Sequence, residues 1–155
     1  MKTATEQSYH NTIVVNSSIE EVFEKISNVS AWWAQNFEGS AKNLGDIFTI
    51  RFGETSVTFK LSEVIPGKKV AWHVIDCHLP WLSNKTEWTG TTVVFEASEK
   101  NNAVEVEMTH LGLVPAAECY ADCEQGWGHY IKGSLFKFIT EGEGTPSLGG
   151  RRQEQ

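Results

Sequence analysis

Arginine is nearly missing from the body of this chain. Of 155 residues, 13 are lysine or arginine and 20 are acidic, a net charge of −7. The last fourteen residues add nothing to that excess, because Glu143 and Glu154 balance Arg151 and Arg152, and Arg51 is the only other arginine. Such a surface repels nucleic-acid phosphates and anionic membranes, so neither is an expected partner. No apolar run is long enough to span a bilayer, and the opening M-K-T-A-T-E-Q-S lacks the apolar centre of a signal peptide. A cytoplasmic location is therefore expected. The three cysteines, Cys77, Cys119 and Cys123, form no C-x-x-C pair and leave one over in any disulfide scheme. Free thiols in a reducing compartment are the simple reading. A nucleophilic triad, a phosphate-binding glycine loop and a dinucleotide fingerprint are all absent, and no cofactor is expected.

What the chain does contain is ordinary globular composition, 40% apolar and 21% charged, enough for one domain. A flexible N-terminus is expected over 1–8, a single domain over 9–146, and a frayed tail over 147–155. Segment Tyr9–Val15 reads as a strand. Ser17 with Glu20, and Ser18 with Glu21, each fit a capping box before a helix that places Ile19, Val22, Phe23 and Ile26 on one face. Asn28–Trp33 reads as a second short helix. Strands follow at Asp46–Phe52, Thr55–Ile65, Lys68–Cys77, Glu87–Ser98 and Ala103–Leu113, with turns at Gly53-Glu54, Pro66-Gly67-Lys68 and Lys100-Asn101-Asn102. Val57, Phe59 and Leu61 share one face, as do Val104, Val106, Met108 and His110. The parity of Trp72 stays open because its strand is apolar on both sides. That of Trp88 stays open because Gly90 marks a candidate bulge.

The last helix is expected from near Pro115 to Gly142, with Glu118 complementing its dipole. Tyr120, Cys123, Trp127, Ile131, Ser134 and Phe138 recur at steps of three and four, so one stripe lies along something apolar. Gly126, Gly128 and Gly133 each lower helix propensity by about 1 kcal/mol relative to alanine. Either the close approach of another segment or a kink that opens room for a ligand would account for them, and the plain alternative is tolerated local weakness.

The order strand, two short helices, several antiparallel strands and a long C-terminal helix resembles the Bet v-type, START-like (SRPBCC) superfamily. Within it the chain is similar to the branch named after the activator of heat-shock-protein-90 ATPase homologues. The residues carrying the resemblance are I-V-V-N-S-S-I-E-E-V-F-E-K-I-S, K-V-A-W-H-V, E-W-T-G-T-T-V-V-F-E, T-H-L-G-L-V-P and E-C-Y-A-D-C-E-Q-G-W-G-H-Y-I-K-G-S-L. The resemblance implies an α+β helix-grip fold, a curved antiparallel sheet wrapped round the C-terminal helix, with a cavity between them. It does not name a ligand, because fold does not imply function.

On that fold the expected ligand-binding set is Trp33, Phe37, Phe59, Trp72, Trp88, Phe95, Met108, His110, Cys123, Trp127, Tyr130 and Ile131. The plain alternative for each aromatic is core packing. His110 ends an apolar strand face and is the one candidate for acid/base catalysis; the alternative is a structural histidine bonded to backbone near Gly112. Cys119 and Cys123 at i, i+4 are too few ligands for zinc, and no metal is expected. Glu87, Asp76 and Glu124 are the carboxylates nearest the expected cavity, as bases or as solvated rim residues. Phe136 lies opposite the stripe, as a lone exposed aromatic or as part of a homodimer contact. Three functions fit this pattern: a binding protein for a hydrophobic or aromatic small molecule, a cyclase or aromatase using His110, and, ranked last, a module that modulates a chaperone ATPase.

Overall fold

The computed structural model describes residues 8–83, 85–114, 117–118 and 120–146. The expected flexible start, the tail, Cys119 and the helix start near Pro115 lie outside, or largely outside, these residues. Strand β1 (Tyr9–Val15) buries Tyr9, Asn11, Ile13 and Val15 and exposes the residues between them. Helix α1 (Ile19–Ser27) begins at Ser18, whose hydroxyl oxygen accepts the Glu21 N–H at 3.1 Å. Of the two overlapping capping boxes the chain uses the second as its cap. Helix α2 (Val29–Trp32) follows at once.

Six more strands complete the sheet: β2 (Phe37–Gly39), β3 (Ile47–Phe52), β4 (Thr55–Ile65), β5 (Lys69–His78), β6 (Thr92–Lys100) and β7 (Ala103–Leu111). They join β1 in one curved antiparallel sheet of order β1-β7-β6-β5-β4-β3-β2. Register shifts between β4 and β5, at Thr58/Phe59 and Leu61/Glu63, bend the longest strands as β-bulges do. Trp72 points inward and is fully buried, while its neighbour His73 turns outward and its Nδ1 meets Thr92 Oγ1 at 2.9 Å. Strand β6 starts five residues later than the sequence suggests. Gly90 adopts φ +92°, a left-handed conformation that ends an extended run, and Thr91 Oγ1 donates to the Trp88 carbonyl at 2.6 Å to close the turn. The short β2 was not expected at all. Its Gly39, at φ +108°, lies so close to Ile47 that any side chain would collide with that backbone.

The C-terminal helix is continuous but not uniform. Helix α3 (Tyr120–Trp127) passes into a π-helical segment, Gly128–Leu135, and then into α4 (Phe136–Glu141). Gly142, at φ +86°, ends it, donating its N–H to the Phe138 carbonyl at 2.9 Å. Cys123, Trp127, Ile131, Ser134 and Phe138 of the expected stripe are buried, and Tyr120 packs at its margin. The wider π turns also bring Leu135 and Ile139 inward. Ser134 Oγ donates to the Trp32 carbonyl at 2.6 Å and accepts the Thr145 N–H at 2.7 Å, tying the helix to α2 and to the segment that follows α4.

A methyl group built on Gly126, Gly128 or Gly133 meets nothing within 4 Å. Close approach of another segment therefore does not explain these glycines; Gly128 and Gly133 lie within the π-helical segment, while Gly126 lies in regular α-helix, where local weakness is simply tolerated. Gly126→Ala is expected to raise stability by about 0.5–1 kcal/mol, seen as a higher urea midpoint. A lower midpoint would show that backbone freedom at this residue matters to the folded state.

Candidate functional site

Six elements bring the large rings together. Helix α2 delivers Trp32 and, just past its end, Trp33. Strands β3, β4, β5 and β6 deliver Phe48, Phe59, Trp72 and Phe95 from inward parities, and the C-terminal helix lays Trp127 over them. Trp33 is the hub: its ring centroid lies 5.9 Å from Trp32, 6.1 Å from Trp72 and 4.9 Å from Trp127. Trp33 and Trp72 are nearly parallel, 8° apart, and Trp127 stacks at 7° on Trp88. An aromatic wall thus runs from Phe95 to His110 beneath the helix.

Of the residues singled out in the sequence, Trp33, Phe59, Trp72, Trp88, Phe95, Met108, His110, Cys123, Trp127 and Ile131 are all buried on this inner side. Phe37 joins the cluster at its margin, half-buried on the edge strand β2 and stacked on Phe48 at 5.5 Å. Tyr130 is half-buried, edge-on to the exposed His129 at 4.8 Å. Sequence reasoning passed over Trp32 and Phe48 as ligand-site residues, although both carried a signal: Trp32 belongs to the Trp32-Trp33 pair and Phe48 lies in an expected strand. It also passed over Asn11, a polar residue on the buried parity of β1.

His110 is held by two side chains rather than by backbone. The Trp127 indole N–H donates to His110 Nδ1 at 3.1 Å, and His110 Nε2 meets Thr91 Oγ1 at 2.9 Å. An indole nitrogen can only donate, so Nδ1 carries no proton and the neutral ring keeps its proton on Nε2. Nε2–H then donates to Thr91, whose hydroxyl proton goes on to the Trp88 carbonyl. Donors and acceptors match along the whole chain. Burial pushes the imidazole down to about 3, and the ring stands edge-on to Trp88 at 4.6 Å. Both nitrogens are committed, leaving no lone pair or proton free for transfer in this arrangement.

Two other buried polar atoms are not matched. Among the described residues, nothing lies within hydrogen-bonding reach of Trp72 Nε1, a donor, or of Asn11 Oδ1, an acceptor. Leaving such an atom unsatisfied costs roughly 1–3 kcal/mol. Asn11 spends its amide N–H on the Tyr9 hydroxyl oxygen at 2.8 Å, and burial raises the Tyr9 pKa. That hydroxyl keeps its own proton. Tyr9 also packs edge-on to Tyr120 at 6.5 Å.

The carboxylates lie toward solvent. Asp76 and Glu124 are exposed, and Glu87 accepts the Glu118 N–H at 2.6 Å. Cys77 is free and buried, whereas Cys123 is disulfide-bonded, which corrects the reading of free thiols throughout. Among the described residues no three His, Cys, Asp or Glu side chains converge as a metal requires, and no helix is long and apolar enough to cross a membrane. On the opposite face of the sheet an open groove of about 620 Å³ is lined by Lys68, Lys69, Lys100, Glu96, Glu105 and Glu107 among others, charges of both signs.

Solved structures share this architecture. The Aha1 dimer from Colwellia psychrerythraea matches with a TM-score of 0.73 and 23% identity, over 88% of this chain and 98% of that one. The fold is that of the SRPBCC, Aha1-like proteins. DynU16, from the dynemicin biosynthetic locus, shares the SRPBCC architecture at a TM-score of 0.66 and 15% identity, over 95% of this chain but 51% of its own. This chain thus spans about half of DynU16. CalU16 from Micromonospora echinospora matches at 0.62 and 10% identity, over 84% of this chain and 73% of that one. At such identities the likeness is one of fold. No family model and no curated protein sequence matches the chain.

Proposed function

We propose that this protein binds a hydrophobic or aromatic small molecule between its sheet and its C-terminal helix. The observation that carries the reading is the aromatic wall, which retains an unmatched donor and acceptor, Trp72 Nε1 and Asn11 Oδ1, among apolar neighbours. Binding sites for small molecules combine apolar walls with a few placed polar atoms. The ligand is taken up where the C-terminal helix lies over these rings. Ile131 lies in the π segment of that helix, and such segments recur at functional sites. The association of DynU16 with a biosynthetic locus fits a role beside small-molecule chemistry. The committed nitrogens of His110 give a cyclase reading no support.

Native mass spectrometry of freshly purified protein is expected to show a co-purifying small molecule. A panel of aromatic and lipid compounds is expected to contain members that stabilise the fold by about 2–3 kcal/mol at a hundredfold excess over Kd. Bare protein mass together with no shift of Tm across the panel would rule the reading out. We further propose, from the dimeric state of the Colwellia psychrerythraea neighbour, that this chain forms a homodimer.

A further inference from the structure

The two edges of the sheet are managed differently. At one end β2 has only 3 residues and ends in Gly39, a short edge that offers little to an incoming strand. At the other end β1 runs 7 residues, Tyr9–Val15, in unbroken register with β7 from Tyr9↔His110 to Val15↔Val104. Its sequence, Y-H-N-T-I-V-V, holds no lysine, acidic residue or proline and no bulge, the usual devices that keep an edge from pairing. Val14 is 58% exposed there.

The parity of the backbone groups follows from bonds further into the sheet. Val74 N–H donates to the Thr91 carbonyl at 2.9 Å and Ala97 N–H to the Lys68 carbonyl at 3.0 Å. Odd-numbered residues of β6 therefore turn their N–H and C=O toward β5, and even-numbered ones toward β7. The pairing Val94↔Thr109 then makes the odd residues of β7 face β6 and the even ones face β1. By the same alternation, with His110 opposite Tyr9, the odd residues of β1 face β7. His10, Thr12 and Val14 are left turning both backbone groups outward. Among the described residues, no bond is made to any of these groups.

We propose that β1 is the homodimer interface, pairing antiparallel with β1 of a second copy about a two-fold axis through Thr12. This inference deepens the homodimer reading above and rests on it. The occupant follows from self-complementarity: with Thr12 opposite Thr12 of the partner subunit, His10 falls opposite Val14 of the partner subunit, and the reverse. All three outward residues then lie at hydrogen-bonded positions, each pair exchanging two bonds, about six in all. The exposed Val14 is covered, and the Thr12 pair is a favourable cross-strand match. A two-fold contact of this kind closes on itself, so the product is a dimer and not a fibre. Strand pairing alone buries a small area, so the dimer is expected to be weak and to depend on concentration.

The test is sedimentation of the full chain across concentration, alongside Thr12→Pro and Val14→Lys. Proline is tolerated on an edge strand where its missing N–H would face solvent, so Thr12→Pro leaves the β1–β7 ladder bonds in place. Should it nonetheless unfold, Val14→Lys carries the same reading. Each folded variant is expected to weaken the dimer at least tenfold, and amide exchange at His10, Thr12 and Val14 is expected to slow as wild-type concentration rises. A dimer unaffected by both variants overturns this interface while leaving the homodimer reading intact. A wild type that stays monomeric overturns both, and protection of the three amides independent of concentration points to the chain's own terminal segments on the edge and overturns it as well.

Discussion

Acidification from pH 6.5 to about 3 is expected to cost the folded state on the order of 4–5 kcal/mol through His110 alone. Above pH 6.5 the imidazole is neutral in both folded and unfolded chains and contributes no pH dependence. Below it the unfolded chain takes up a proton that the folded chain refuses, so stability falls as pH falls. The loss levels off near pH 3, where the folded chain protonates too. Geometry gives the refusal its cause. A proton on Nδ1 would face the Trp127 N–H, donor against donor, 3.1 Å apart in a site with no exposed surface on His110. His110→Gln supplies a donor toward Thr91 without titrating. Urea unfolding at pH 7 and pH 5 should show wild type losing about 2 kcal/mol more than this variant. Asp46, held below the usual carboxylate range by its bond from Ser40 and by the Asn43 and Lys42 N–H groups, loses stability in acid in both proteins and so cancels. Equal losses in the two proteins would mean that His110 is solvated or protonated in the native state.

The architecture was readable because its signals are local. Alternation placed Val57, Phe59 and Leu61, and likewise Val104, Val106 and Met108, on the buried face where they are found, and Ser18 marked the start of α1. The short β2 escaped because three residues carry too little periodicity, and β6 was extended through Gly90 because a bulge and a strand break look alike in sequence. The site was legible as a set of rings, not as a set of bonds. His110 stood out as a polar group on an apolar face, yet its partners lie 17 and 19 residues away, on a helix and in a turn. No spacing rule links them. The π turns were foreshadowed only by the glycines, which signal weak helix without specifying its pitch. The disulfide at Cys123 was missed because three cysteines without a C-x-x-C pattern gave no pairing to prefer.

Trp72 separates core packing from ligand recognition, and two substitutions there should part company. Trp72→Ala removes a fully buried indole in ring contact with Trp32, Trp33, Phe48, Phe59 and Phe95. It is expected to cost about 3–5 kcal/mol, lowering Tm by roughly 10 °C for a domain of this size. Trp72→Phe keeps much of the ring surface and deletes the one polar atom. Because that N–H makes no bond among the described residues, its loss relieves a desolvation cost of about 1–3 kcal/mol and offsets much of the lost packing. Trp72→Phe should therefore unfold within about 1 kcal/mol of wild type in the ligand-free protein. With a stabilising ligand from the panel present, the variant should forfeit a large part of the added stability, since the indole N–H is then the donor that an acceptor on the ligand meets. Equal ligand stabilisation of wild type and Trp72→Phe would assign Trp72 to packing alone and move the polar recognition to Asn11 and Tyr9 at the other end of the wall.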